Sequence, residues 1–105
     1  MATDSLSNVT LTTKANVYFD GKCVSHSFTT PQGEKKSVGV VLAATLNFGT
    51  AVAEIMECVA GECRYRLQGG ADWVAVQAGE SFEVPANSSF DIEVAEAFHY
   101  ICHYA

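Results

Sequence analysis

The feature that most constrains this chain is the lack of any sustained 3.6-residue apolar period, combined with short alternating runs cut by turn residues. "ANVYF" ends at "DGK", where Asp20-Gly21 is a strong hairpin signal because glycine accepts the positive φ that such turns need. "KCVSHSFTT" then alternates, with Val24, His26 and Phe28 on one face and Cys23, Ser25 and Ser27 on the other. "SVGVVLAATLNF" supplies one long bent strand or two short ones, with Gly39 as a bulge or a point of close contact. "EIMECV" is expected to turn at Gly61 into "CRYRL". "WVAV", "SFEV", "FDIEV" and "FHYICHYA" follow, separated by "QAGE", "PANSS" and "AEA". Roughly eight to ten strands joined by tight turns predict an antiparallel sandwich or barrel.

Length allows one domain with one core. Residues 1–14 read as an appended polar tail, expected to be mobile, ahead of a β-domain over residues 15–105. Six Lys and Arg stand against 12 Asp and Glu, a formal charge of −6. That balance argues against nucleic acid and anionic membranes as partners. A small anion stays permissible where a few local donors meet it. No apolar run approaches a membrane span, and the start lacks the basic and apolar regions of a secretory signal, so a cytoplasmic location is expected.

In such a compartment the four cysteines are most simply buried, reduced apolar residues. Cys58 and Cys63 flank the expected turn and would face each other across a hairpin. A zinc site from Cys102, His99 and His103 matches none of the usual ligand spacings. Along the last strand Phe98, Tyr100, Cys102 and Tyr104 share one face, the better candidate for core or pocket, and His99, Ile101 and His103 share the other. Trp73, Phe82, Phe90 and Met56 read as core.

The stretch "GESFEVPANSSF", with Glu54 and Gly61 upstream, resembles the two motifs of the cupin superfamily. The positions of the metal ligands are changed. The His-x-His pair falls on Phe48 and Thr50, and the second-motif histidine falls on Phe90, leaving Glu54 alone. One carboxylate does not hold a transition metal usefully, so metal chemistry is not expected. A closer resemblance covers about Asn16 to Tyr104. "YFDGKCVSHSF", "KSVGVVLAATLNFGT", "EIMECVAGE", "DWVAVQAGESFEVPANSSFDIEV" and "YICHY" are similar to the single-domain cupin pyrimidine/purine nucleoside phosphorylases. The resemblance implies an all-β, antiparallel jelly-roll barrel of the cupin type that forms a homodimer. It also implies phosphorolysis of purine and pyrimidine ribonucleosides to free base and ribose 1-phosphate, with no cofactor beyond phosphate as co-substrate.

Such a reaction needs donors for phosphate, a grip on the ribose hydroxyls and stabilisation of the departing base. Lys22 follows the "DG" turn and can donate to phosphate, or simply be solvated. Glu54 can hold a ribose hydroxyl or serve as a structural acid. Asn87, Ser88 and Ser89 form a donor cluster that also suits an ordinary turn. Tyr100 and Tyr104 offer aromatic surface and a hydroxyl, or core packing. Arg64 and Arg66 share a strand face and read first as solvent-facing, and His26, His99 and His103 as surface or edge residues. Two rival functions are a non-catalytic cupin binding a sugar or nucleotide, and a metal-dependent enzyme with Glu54, His99 and His103 as ligands.

Overall fold

The computed structural model describes residues 4–105; the first three residues of the expected tail lie outside the described residues. The chain is built from strands β1 (Thr10–Leu11), β2 (Asn16–Tyr18), β3 (Cys23–Thr29), β4 (Lys35–Gly49), β5 (Glu54–Leu67), β6 (Val74–Gln77), β7 (Ser81–Val84) and β8 (Ser89–Tyr104). A short 3₁₀ turn, Phe19–Gly21, links β2 to β3. All pairings are antiparallel. They form one sheet in the order β1-β3-β4-β8-β5-β6, with β2 also on β3 and β7 also on β5. Strand β1 was not foreseen: Thr10 and Leu11 pair with Thr29 and Phe28.

Three long strands, β4, β5 and β8, carry the architecture. Inward residues of β8 are even-numbered on both sides of the exposed Glu96, with Phe90, Ile92 and Val94 before it and Phe98, Tyr100 and Cys102 after it, all six buried. Its neighbours reach the same geometry by bulging. On β4 the register shifts between Leu42 and Ala44, so the parity that turns Val41 inward changes and brings Phe48 inward. On β5 shifts at 58/60 and 61/64 do the same for Cys63, Tyr65 and Leu67. The shifts lie side by side, and there the sheet bends over onto itself.

This bend corrects two expected turns. "VAGE" does not reverse the chain and "AEA" does not end a strand, because Gly61 pairs with Phe98 and both strands run on through the bend. Gly61 has φ +75°, and an added Cβ would lie 2.1 Å from the Ala97 carbonyl oxygen. The glycine is therefore required by the close approach of β8. Cys58 and Cys63 thus share one bulged strand instead of facing across a hairpin, and both are buried free thiols, as are Cys23 and Cys102. Gly39 meets the expectation of a close contact: a Cβ there would lie 2.7 Å from the Val24 carbonyl and 2.8 Å from the Tyr100 hydroxyl.

The core fills the concave side, with Phe90, Phe98, Ile92, Val41 and Val84 fully buried. Tyr65 stacks on Phe82 at 4.0 Å, tying β5 to β7. Trp73 is only half-buried, a correction to its reading as core. It lies under the guanidinium groups of Arg66 at 4.5 Å and Arg64 at 5.4 Å. These arginines face outward, Arg66 paired with Asp91 at 3.0 Å and Arg64 with Glu93.

Candidate functional site

Inside the bend lies a cavity of about 180 Å³. Its walls differ. One is polar. Ser25 of β3 and Ser37 of β4 point inward as small hydroxyls among apolar neighbours, and both are buried. From β5 comes Glu54, and from β8 come Tyr100, Cys102 and Tyr104. The Ser37 Oγ and the Tyr104 hydroxyl lie 2.9 Å apart. The Tyr100 hydroxyl lies 3.6 Å from the Cys23 Sγ, and Asn16 Nδ2 donates to the Ser25 Oγ at 3.4 Å. Glu54 is register-paired with Tyr104, so carboxyl and phenol emerge side by side.

Burial sets the protonation of this wall. It pushes the Glu54 carboxyl upward, and a hydrogen bond with Cys102 opposes the shift in part. Burial and the charge of Glu54 push the Cys102 thiol up to about 12. Burial likewise pushes Tyr104 up to about 12 and Tyr100 further still. At neutral pH the wall is therefore a set of neutral donors around one carboxyl group. Among the described residues no lysine, arginine or histidine lines the cavity.

The opposite wall is aromatic. Phe48 and Phe90 stack at 5.6 Å, and Tyr18 joins them at the mouth. Phe19, on the 3₁₀ turn, sets its ring edge-on to Phe48 at 5.2 Å. Two of the three replaced cupin ligand positions, Phe48 and Phe90, thus face the cavity together with Glu54. Thr50 points its hydroxyl at the Pro85 carbonyl, 2.7 Å away. Two phenyl rings and a carboxyl group do not fit a transition metal, which wants several nitrogen, oxygen or sulfur donors. His99 and His103 occupy the outward positions of β8, and neither lines this cavity. Instead Lys36 Nζ donates to His103 Nδ1 at 2.6 Å, and His103 Nε2 donates to Glu57 at 2.9 Å. Cys102, turned inward, is likewise separated from both histidines.

Of the residues singled out from sequence, Glu54 and Tyr104 meet in the cavity. Lys22, Asn87, Ser88 and Ser89 do not line it. Lys22 is exposed and closes the 3₁₀ turn, donating from its backbone to the Phe19 carbonyl at 3.1 Å. Asn87 takes a left-handed φ of 53° in the turn before β8. The Ser88 amide donates to the Thr50 Oγ1 at 3.0 Å and its hydroxyl to Gln68 at 3.4 Å, and the Ser89 carbonyl accepts from the Gln68 amide at 2.9 Å. Reading the sequence missed Ser25, Ser37 and Tyr18. The available signal was a small polar residue on the inward parity of an otherwise apolar strand, visible at Ser25 and Ser37.

A family model described as pyrimidine/purine nucleoside phosphorylase matches residues 13–104. The pyrimidine/purine nucleoside phosphorylase of Ralstonia pickettii (strain 12J) is 70% identical over 105 residues, covering 100% of both chains. A crystal structure of a protein of unknown function from Acinetobacter sp. ADP1 superposes with a TM-score of 0.94 at 42% identity, covering 96% of this chain and 98% of that one. An RmlC-like cupin from Shewanella frigidimarina NCIMB 400 superposes with a TM-score of 0.68 at 15% identity, over 87% of this chain and 81% of that one. At that identity the likeness concerns the fold, which is the antiparallel jelly roll of cupins.

Proposed function

Because the chain belongs to the pyrimidine/purine nucleoside phosphorylase family, we propose that it cleaves the N-glycosidic bond of purine and pyrimidine ribonucleosides with phosphate. Phosphate attacks the anomeric carbon, the bond to the base breaks, and free base and ribose 1-phosphate leave. The observation that carries this reading is Glu54, a half-buried carboxyl group among hydroxyls in the cavity. Its raised proton affinity suits it to give a proton to the departing base. In its neutral form it also does not repel the phosphate. The hydroxyls of Ser25, Ser37, Tyr100 and Tyr104 supply donors for ribose and phosphate oxygens. Lys22, on the turn beside the mouth, supplies the cation that the cavity walls lack. The reaction runs without a metal or organic cofactor, and no step above needs one.

The chain acts in the cytoplasm as a homodimer in this reading. Val17 of β2 and Ile55 of β5 are both exposed and supply apolar surface for a second copy. Neither nucleic acid nor membrane is a partner, in keeping with the acidic charge.

The test is release of uracil from uridine and hypoxanthine from inosine, with and without phosphate, in excess chelator. Release that depends on phosphate and survives the chelator is the expected result. Tight binding of nucleosides with no release under any condition would favour the non-catalytic ligand-binding reading. Lys22→Ala should raise the KM for phosphate more than that for nucleoside.

A further inference from the structure

We propose that Tyr18 and the turn Phe19–Gly21 form a clamp for the nucleobase, stacking it against Phe19 and Tyr18 at the cavity mouth. The inference rests on the phosphorolysis reading for its substrate, but its own support is the backbone and exposure of this turn. Phe19, Asp20 and Gly21 take φ of 51°, 54° and 90°, three left-handed residues in succession. Glycine does this freely and aspartate tolerates it, but a bulky phenylalanine is strained there. Such strain persists where the surroundings enforce it, and it gathers at ligand clamps. The turn is enforced: the Lys22 amide donates to the Phe19 carbonyl at 3.1 Å, and the Leu42 amide to the Lys22 carbonyl at 2.7 Å.

Burial does not account for an aromatic residue at this position. Phe19 is 44% exposed and Tyr18 46% exposed, yet Phe19 touches Phe48 and Tyr18 lines the cavity. Rings half in water at the rim of an aromatic wall suit a flat, uncharged heterocycle. Every purine and pyrimidine offers a π-face, so stacking tolerates a change of base, whereas hydrogen-bond readout does not. The clamp thus recognises a nucleobase as a class, while the polar wall meets ribose and phosphate.

The test compares Phe19→Gly, Phe19→Leu and wild type in phosphorolysis of uridine and inosine, varying nucleoside at saturating phosphate and phosphate at saturating nucleoside, alongside thermal unfolding. Both variants should raise the KM for both nucleosides about tenfold or more, as expected for loss of one base-stacking contact. The KM for phosphate should stay within about twofold in both variants. Phe19→Gly should unfold at or above the wild-type midpoint, because glycine relieves the left-handed strain. An unchanged nucleoside KM in either variant, or a midpoint of Phe19→Gly that falls along with activity, would overturn the clamp. If the wild type shows no phosphorolysis, the proposed reaction fails and calorimetry with free uracil and hypoxanthine decides the clamp separately. Binding that is lost in Phe19→Gly upholds it, and no binding to wild type overturns it.

Discussion

The two walls of the cavity draw on the same long strands and use them in opposite ways. On the polar wall, β4, β5 and β8 present Ser37 and Cys102, both buried, with Glu54 half-buried and Tyr104 exposed at its outer end, each of them partnered. On the aromatic wall, β4 and β8 present Phe48 and Phe90, continued outward by Phe19. The first wall changes protonation with pH. Among the described residues the second carries no ionisable group beyond the Tyr18 phenol at its rim. The lesson is a division of labour: chemistry on one side, tolerant recognition on the other. In a metal-binding cupin the ligands would tie the two sides to one ion. Here phenyl rings at two of those positions leave Glu54 to act alone.

The comparison breaks most decisively at Glu54. Glu54→Gln should lower kcat at least about 100-fold, the usual scale for a lost general acid. Steady-state rates with uridine and inosine check it, and a variant retaining a tenth of the activity would move proton donation elsewhere. The linked pH effects have a fixed sign. A carboxyl group whose folded affinity for protons is raised stabilises the fold fully below its unfolded pKa. That contribution is lost as pH rises through the raised value. Urea unfolding at acidic and at mildly alkaline pH should therefore show Glu54→Gln gaining on wild type at the higher pH. Turnover of wild type should decline over the same rise.

A smaller effect is expected at Tyr104→Phe, which keeps the ring and removes the hydroxyl beside Ser37. A fall in kcat of about three- to tenfold, with nucleoside KM little changed, would fit a neutral donor on the polar wall. Ser88→Ala comes next. Its hydroxyl meets Gln68 and its backbone meets Thr50, both outside the cavity lining. Stability should fall by about 1 kcal/mol or less and turnover stay within about twofold, measured by unfolding and rate together. A larger kinetic loss would return the turn to the site. The smallest effect is expected at Arg64→Ala, far from both walls. Its exposed pair with Glu93 is worth about 0.5 kcal/mol or less. Unchanged kinetics would place the outward arginines outside the reaction, and a raised KM for phosphate would bring them into it.

Much of the frame could be read from residues alone. The "DG" hairpin, the even-numbered inner face of the last strand and the close contact at Gly39 follow from turn chemistry and period-two alternation. The bend could not be read in this way. A glycine with positive φ serves a turn and a bulge equally, and which one forms depends on whether a distant strand continues alongside. For the same reason Phe48 lies on the inner face only after a register shift that local sequence does not mark. Glu54 was legible because it stands at the carboxylate position of the cupin motif, and Tyr104 because it shares the apolar face of the last strand. Ser25 and Ser37 were missed because a serine of inward parity suits a solvent-facing position as well, as Ser27 on the same face of β3 shows by being exposed. Lys22 and Asn87 to Ser89 were chosen on chemistry, and their strongest observed role is to shape turns.

The position of β8 also governs how the molecule is made. It lies between β4 and β5 in the sheet, yet it follows all seven other strands in sequence. Lys36 of β4 meets His103 across 67 residues of sequence. During synthesis β4 and β5 must therefore wait with a free edge each until residues 89–104 have left the ribosome. Pairings of such sequence separation form slowly. Nascent chains stalled before residue 90 should resist compact folding and recruit chaperones, while chains that include β8 close both edges in a single docking event.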